Sequence, residues 1–222
     1  MQIKDILSAG PVIPVIVLDE LSHAVPLAKA FVAGGVRVLE VTLRTPSALD
    51  AVRAIKETVP QAIVGVGTVT TAKQLQSAID AGAQFAVSPA SSMWLLDAVK
   101  DFGLPFLPGV MTPSEVLVAR ESGFVDLKFF PANEAGGAGM VRALGSVFPD
   151  IRFCPTGGVT PSNAREYLSL PNVACVGGSW MAPKVLIEAG DWGAIEQLAR
   201  DSQTLRSGFE RNVAQGSNSS WV

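Results

Sequence analysis

The sequence predicts an α/β protein, a (β/α)8 TIM barrel with a short N-terminal helix. Short apolar, β-branched segments alternate with longer helical segments. The 222 residues contain eight such pairs of about 28 residues each, and a typical barrel of eight pairs has ~250 residues in total. Segments such as VIPVIVL at 12–18 are apolar throughout, as parallel strands covered on both faces are. A doubly wound open sheet is the alternative. Its usual glycine-rich turn after the first strand is replaced here by Leu18-Asp19-Glu20-Leu21.

The elements follow in order after a short leading helix at 3–8. Strands are predicted at 12–18, 36–43, 62–68, 84–88, 106–108, 126–130, 152–156 and 173–176. Helices are predicted at 22–33, 47–58, 72–81, 94–102, 113–122, 138–147, 163–168 and 183–199. Thr112-Pro113 combines a capping hydroxyl with a proline suited to a first helical position, whereas Gly103 and Gly123 favour helix ends. Residues 1–208 are predicted to form one domain and the polar residues 209–222 a C-terminal tail.

Composition excludes several classes of function. A net charge of -3 provides no basic excess for a nucleic-acid partner. A single histidine, His23, excludes sites with two imidazoles, and its place at a helix start indicates a surface role. The two cysteines lack C-x-x-C spacing and predict buried thiols of a cytoplasmic protein rather than a disulfide framework. The apolar segment at 12–18 is too short to cross a membrane. We therefore expect no metal, no cofactor, no nucleic acid and no membrane.

The second predicted strand carries polar side chains on one face. Period-two alternation in VLEVTLR places Glu40, Thr42 and Arg44 together. Their apolar neighbours must face the helices, so this polar set faces the barrel interior. Glu40 and Arg44 could simply neutralise each other there. Because a buried ion pair seldom stabilises a fold relative to apolar residues, a pair near the barrel mouth favours a functional role.

The sixth predicted strand places a lysine in the interior. In DLKFF, Lys128 points opposite to Leu127 and Phe129 and shares its face with Asp126 and Phe130. An ammonium there loses hydration, which favours the neutral amine that attacks a carbonyl to form an imine. Two structural alternatives remain open: the lysine extends to solvent at the strand end, or it stays paired with Glu40.

Glycine pairs follow the last two predicted strands. Gly157-Gly158 and Gly177-Gly178 allow backbone N–H groups to approach an anion, and Ser179 adds a hydroxyl. Barrels frequently bind phosphate with these two loops, although two tight turns would have the same composition. Gly65 and Gly67 on the third strand are ambiguous and could make room for a substrate above Thr68.

Several motifs together resemble the 2-keto-3-deoxy-6-phosphogluconate (KDPG) aldolase family, which also contains the 2-keto-4-hydroxyglutarate (KHG) aldolases. The motifs are VLEVTLRT at 38–45, VGTV at 66–69, FAVSP at 85–89, DLKFFPA at 126–132, FCPTGG at 153–158 and CVGGSW at 175–180. The similarity extends from about residue 11 to residue 198. It implies a metal-independent class I aldolase, a homotrimer, that cleaves a phosphorylated keto acid in the Entner–Doudoroff pathway.

The resemblance also implies roles for individual residues. Lys128 corresponds to the Schiff-base lysine and Glu40 to the proton-transferring glutamate. Arg44 and Thr68 would bind the pyruvate carboxylate. The remaining implied residues are Pro89 and Phe130, which would line the pocket, and Gly157, Gly158, Gly178 and Ser179, which would bind phosphate. Ala90 departs from the family, in which glycine is frequent at that position.

Three alternatives stay open at the level of sequence. The first is an aldolase for KHG or for the galactonate-derived epimer of KDPG, since the configuration at C4 leaves no clear trace in the motifs. The second is a phosphosugar isomerase or epimerase that uses the same phosphate loops with Glu40 as its base and forms no imine. The third is a barrel that only binds its ligand, against which the complete set of Glu40, Arg44 and Lys128 argues.

Overall fold

A computed structural model describes residues 1–205 of the chain. The predicted tail at 209–222 and the predicted domain end at residue 208 lie outside the described residues. Within residues 1–205, no helix is both long enough and apolar enough to span a bilayer. The described chain alternates strands with helices along almost its whole length. The predicted α/β class is therefore confirmed.

Nine strands and ten α-helices make up the described fold. The strands are β1 (Val12–Ile16), β2 (Val38–Thr42), β3 (Ile63–Gly67), β4 (Ala86–Val87), β5 (Phe106–Leu107), β6 (Gly109–Val110), β7 (Asp126–Phe129), β8 (Arg152–Pro155) and β9 (Val176–Gly178). The helices are α1 (Ile3–Leu7), α2 (Ala24–Ala33), α3 (Ala48–Thr58), α4 (Ala72–Asp80), α5 (Met93–Phe102), α6 (Pro113–Glu121), α7 (Gly137–Val147), α8 (Ala164–Leu168), α9 (Lys184–Glu188) and α10 (Trp192–Gln203). Single 3-10 turns lie at Leu21–His23 and Ser179–Met181.

All the pairings between these strands are parallel, and they form two sheets. The larger has the order β5-β4-β3-β2-β1-β9 and the smaller the order β6-β7-β8. Isolated parallel bridges, Phe153 with Val173 and Thr156 with Gly177, connect the β8 side of the smaller sheet to the β9 edge of the larger. The carboxyl ends of the strands consequently meet at one end of a curled assembly. That end is where polar residues following the strands can converge.

Two apolar clusters lie on opposite faces of the strands. The larger cluster joins the strands to the surrounding helices, with Leu39, Val41 and Leu127 among its buried residues. The smaller lies on the concave face and contains Ile6, Leu7, Ile13, Val38, Phe85, Val87, Leu107, Cys154 and Cys175. Because side chains alternate along a strand, the residues between the outward-facing ones line the interior. This alternation directs Glu40 and Lys128 inward, as the sequence predicts.

The last predicted helix, 183–199, is wrong as a single element. The structure divides this segment into α9 and α10. Gly190 has a φ of +66° between them, a left-handed conformation that interrupts the first helix. Asp191 then accepts a hydrogen bond from the backbone N–H of Ala194 at 3.0 Å, which caps the second helix. The sequence contains both signals of this break, Gly190 and Asp191, but its apolar periodicity continues across them and predicts one helix.

All eight predicted strands differ from the observed strands at one or both ends, and two of the differences affect the site. The strand predicted at 106–108 is interrupted at Pro108 and continues as β6, because proline has no N–H for the ladder. The last strand begins at Val176 rather than at Val173, whose strand contact is a single bridge. It extends to Gly178, which pairs with Pro14 of β1. The second glycine pair therefore lies inside a strand, and the loop begins at Ser179.

The buried carboxyl group of Asp126 should make the stability of the fold depend on pH. Its side chain is 4% exposed at the start of β7, and burial raises its pKa above the ordinary value although Arg152 Nη2 lies 2.7 Å from Oδ1. A folded-state pKa above the unfolded one means that wild-type stability declines as pH rises through those two values. The free energy of unfolding of Asp126→Asn, relative to wild type, should therefore increase from pH 3 to neutral pH. Urea unfolding at several pH values measures this.

Asp150→Asn is the matched control for this measurement. A hydrogen bond from Arg120 lowers the pKa of the exposed Asp150 carboxyl. That ion pair stabilises the fold above the ordinary aspartate pKa and is lost as pH falls. The relative stability of Asp150→Asn should therefore decrease over the same pH interval. A stability difference between Asp126→Asn and wild type that does not change with pH would contradict the prediction.

Candidate active site

A lysine and a glutamate form a buried pair at the centre of the concave face. Lys128 lies in β7 and Glu40 in β2, and each is 4% exposed. Lys128 Nζ donates a hydrogen bond to Glu40 Oε1 at 3.3 Å, and Nζ lies 5.2 Å from the centre of the Phe130 ring. A carboxylate next to the amine can exchange protons with it or with a bound substrate. The pairing of the two residues, one of the alternatives at the level of sequence, is thus present in the structure.

Glycines on β3 explain how Glu40 reaches this position. Gly67 lies beside it, and a Cβ added at Gly67 would overlap Glu40 Oε1. Gly65 makes similar room for the ring of Phe85. Neither position has the positive φ that by itself requires glycine. The sequence suggested that these two glycines could make room for a substrate. In the structure, the side chains of Glu40 and Phe85 occupy that space.

A cavity of about 260 Å³ opens above the amine. Its lining residues are Val15, Arg44, Lys128, Phe130, Thr156, Gly157, Gly158, Val159, Gly177 and Ser179. Lys128 is buried at its base, whereas Arg44 and Ser179 are exposed. The cavity thus combines two cationic side chains with hydroxyl groups. This combination suits a small anionic carbonyl compound.

The first glycine pair forms a constrained loop on this cavity. Gly157 and Gly158 have φ values of +96° and +68°, which other residues rarely adopt. A Cβ at Gly158 would overlap Asn133. The backbone N–H of Asn133 donates to Gly157 O at 3.0 Å, and Asn163 Nδ2 donates to Gly158 O at 3.0 Å. These bonds occupy the carbonyl oxygens of both glycines.

Four predicted site residues lie outside the lining of this cavity, namely Glu40, Thr68, Pro89 and Gly178. Pro89 lines a neighbouring cavity of about 290 Å³. Phe130 lines both cavities and separates the two spaces. Thr68 follows β3 with a φ of 65°, a strained backbone for a β-branched residue and one that is frequent at functional sites. The space beside Gly178 is taken by the Trp180 ring. Gly178 therefore makes room for that ring, and its neighbours Gly177 and Ser179 face the cavity.

Three lining residues were not assigned to the site from the sequence. They are Val15, Thr156 and Val159. Thr156 carried a usable signal, since alternation from Cys154 in β8 directs both side chains to the concave face, and Cys154 is the register partner of Lys128. Thr156 is 5% exposed, so its hydroxyl lies at the floor of the cavity.

Metal-binding potential is low in the part of the chain that the structure describes. Within residues 1–205, no three His, Cys, Asp or Glu side chains cluster as ligands would. His23 lies in a 3-10 turn with its ring centre 5.9 Å from that of Trp192, away from the cavity, as the sequence predicts. The arrangement is suited to a lysine imine, in which the protonated nitrogen accepts electrons from a breaking carbon–carbon bond.

Comparison with known proteins identifies relatives over most of the chain. The family model described as "KDPG and KHG aldolase" matches residues 3–198. A 2-dehydro-3-deoxy-phosphogluconate aldolase of Pseudoalteromonas atlantica is 54% identical over 206 residues, covering 93% of this chain and 96% of the relative. A KHG/KDPG aldolase of Escherichia coli is 52% identical over 199 residues, covering 90% and 93%.

A solved structure gives the same result for the three-dimensional fold. A KDPG aldolase of Legionella pneumophila superimposes with a TM-score of 0.90 at 46% identity, covering 91% of this chain and 98% of that one. That crystal structure holds pyruvate as a covalent carbinolamine intermediate. The likeness therefore extends over the strands that carry the lysine, the glutamate and the glycine loop.

Proposed function

Because the chain belongs to the KDPG and KHG aldolase family, we propose that it is a class I aldolase that cleaves KDPG to pyruvate and glyceraldehyde 3-phosphate. The observation that carries this proposal is Lys128, buried 3.3 Å from Glu40 at the base of an anion-suited cavity. We also propose that the strands close into a (β/α)8 barrel formed by one domain. The bridges between β8 and β9 support closure on one side.

The proposed reaction begins at the C2 ketone of the substrate. The neutral amine of Lys128 adds to C2, and loss of water from the carbinolamine leaves an iminium. A base removes the proton of the C4 hydroxyl while the C3–C4 bond breaks toward the iminium. Glyceraldehyde 3-phosphate departs and leaves an enamine. Protonation at C3 and addition of water at C2 then release pyruvate and restore the amine.

Each side chain has a proposed part in this sequence. Glu40 carries protons to and from the carbinolamine oxygen and C3, for which its position beside Lys128 Nζ is suited. Arg44, together with Thr68, binds the carboxylate, and Phe130 and Pro89 confine the methylene group. We propose that Gly157, Gly158 and Ser179 bind phosphate, with Gly178 shaping that loop against Trp180. No metal or cofactor takes part.

Substrate preference tests the phosphate loop. Binding energy from phosphate, remote from the breaking bond, can orient the substrate and so raise turnover as well as affinity. KDPG should therefore exceed KHG in kcat/KM by at least ~10²-fold, the order expected for several hydrogen bonds to a charged group. Ser179→Asp places a negative charge in the cavity lining and should remove most of that preference, measured with both substrates.

The control for Ser179→Asp is Ser146→Asp, an exposed position at the end of α7. It adds the same charge before the start of β8, whereas the glycine loop follows the end of that strand, and it should leave the preference unchanged. Imine formation with pyruvate should persist in both variants. Equal efficiencies for KDPG and KHG in wild type would favour KHG as the substrate. A preference for KDPG that Ser179→Asp leaves intact would place the phosphate site elsewhere.

We further propose a homotrimer that acts in the Entner–Doudoroff pathway of the cytoplasm. A charged fraction of 17% is low for a chain of this length. Trp94, 85% exposed, and Met93, 52% exposed, add apolar surface at the start of α5 that an interface could cover. Multi-angle light scattering at micromolar concentration should give three times the 23.2 kDa chain mass. A monomer mass would contradict the trimer.

A further inference from the structure

The concave face contains two thiols that the proposed aldol chemistry does not use. Cys154 lies in β8 and Cys175 immediately precedes β9, and the chain has two cysteines in all. Their exposed fractions are 3% and 0%. Cys175 Sγ lies 3.5 Å from Cys154 Sγ. A disulfide needs about 2.05 Å, so an approach of about 1.5 Å would join them.

Parallel pairing brings together the backbone segments that carry the two thiols. The bridges of Phe153 with Val173 and of Thr156 with Gly177 place these segments side by side. Cys154 and Cys175 lie between the bridged residues of their own segments, and both belong to the apolar cluster of the concave face. Neighbouring strands are about 4.7–4.9 Å apart, within the Cα separations of about 4.4–6.8 Å that disulfides span. Side-chain rotation could therefore supply most of the required movement.

The thiol pair is directly connected to the floor of the candidate active site. Cys154 is the register partner of Lys128 across β7 and β8. Its Sγ lies 3.9 Å from Thr156 Oγ1, and Thr156 lines the cavity above. Gly177, two residues after Cys175, lines the same cavity. A displacement of either sulfur would therefore move residues next to the reacting amine.

We propose that Cys154 and Cys175 form a redox modification site at which a hydroperoxide closes a disulfide and lowers aldolase activity. One thiol gives up its proton as its sulfur attacks the peroxide and the O–O bond breaks. A sulfenic acid forms, and the released oxygen takes that proton and departs as water or an alcohol. The second thiol attacks that sulfur, the S–S bond forms and water leaves. The two thiols lose two electrons and the peroxide gains them. The effect on catalysis rests on the proposed function.

The test begins with the cleavage activity of fully reduced wild-type protein, so that a failure of the proposed function appears before any oxidation. Hydrogen peroxide is then added in increasing doses. Intact mass spectrometry should show the loss of two hydrogen atoms at the monomer mass, and peptide mapping should place the bond between Cys154 and Cys175. Activity should decrease about tenfold or more, because a displacement near 1 Å can cost up to ~10²-fold. Dithiothreitol should restore mass and activity together.

The variant Cys175→Ala distinguishes the effect of this disulfide on activity from the effect of oxidation at other residues. The variant should keep the basal activity of the reduced enzyme and should retain it through the same peroxide doses. An equal loss in Cys175→Ala would overturn the proposal, since methionine oxidation would then explain the effect. Full activity of a completely bridged wild type, or no bridge under excess peroxide, would also overturn it. If Cys175→Ala does not fold, the wild-type dose series still decides, because activity must fall in proportion to the bridged fraction.

Discussion

Lys128→Met should lower kcat/KM for KDPG by roughly 10³-fold or more, the scale on which loss of a covalent nucleophile acts. Methionine fills the buried space of the lysine stem but has no amine to form the imine. Borohydride reduction of wild type with pyruvate should attach the three-carbon unit to Lys128, and the variant should remain unlabelled. Mass spectrometry of tryptic peptides locates the adduct. The labelling should proceed equally in EDTA, since the proposed mechanism uses no metal.

Two controls separate lost chemistry from lost structure. Lys73→Met removes an exposed lysine in α4 and should keep both activity and label. Lys128→Met leaves Glu40 buried without its cation, which can destabilise a fold by about 3–5 kcal/mol. The double variant with Glu40→Gln removes that charge and should restore thermal stability but not activity. Cleavage of KDPG by Lys128→Met at the wild-type rate would exclude an imine at this lysine. Absence of any pyruvate label in wild type would favour an isomerase that uses Glu40 as its base.

Alternation along single strands predicted from sequence that Lys128 and Glu40 both face the interior. Residues such as Lys128 and Glu40 have a direction fixed by their own strand, so period-two reasoning places them correctly. Gly67 and Trp180 show where this reasoning fails. The first makes room for Glu40 on the next strand, and the second fills the space beside Gly178. The first contact joins two neighbouring strands, and the second depends on the turn that follows β9. Alternation within a single strand records neither of them.

Strand boundaries affected the prediction of the two glycine loops in a similar way. Thr156 lies inside the strand predicted at 152–156, whereas the observed β8 ends at residue 155. The isolated bridge to Gly177 continues the strand geometry to Thr156. The same bridge extends the ladder of β9 and places Gly177 on the cavity. The positions of Thr156 and Gly177 on the cavity therefore depend on pairing between segments that are distant in sequence.

Glu40→Gln should separate proton transfer from imine formation. Glutamine keeps the shape and the contact with Lys128 but cannot carry a proton, and general acid–base groups contribute about 10²–10⁴-fold. The variant should still bind pyruvate, whereas exchange of the pyruvate methyl protons with solvent should slow by ~10²-fold or more, measured by NMR in deuterium oxide. Glu57→Gln, exposed at the end of α3, is the control. Exchange at the wild-type rate in Glu40→Gln would remove this residue from the mechanism.

Gly67→Ala tests the position of Glu40 while leaving its carboxylate intact. The new methyl group would overlap Glu40 Oε1, and the end of a glutamate side chain can move aside at little cost to the fold. The carboxylate would then leave the position 3.3 Å from Lys128 Nζ. Because proton transfer requires groups within hydrogen-bond reach, methyl exchange in Gly67→Ala should slow nearly as much as in Glu40→Gln. Normal exchange in this folded variant would mean that Glu40 acts without contact with the amine.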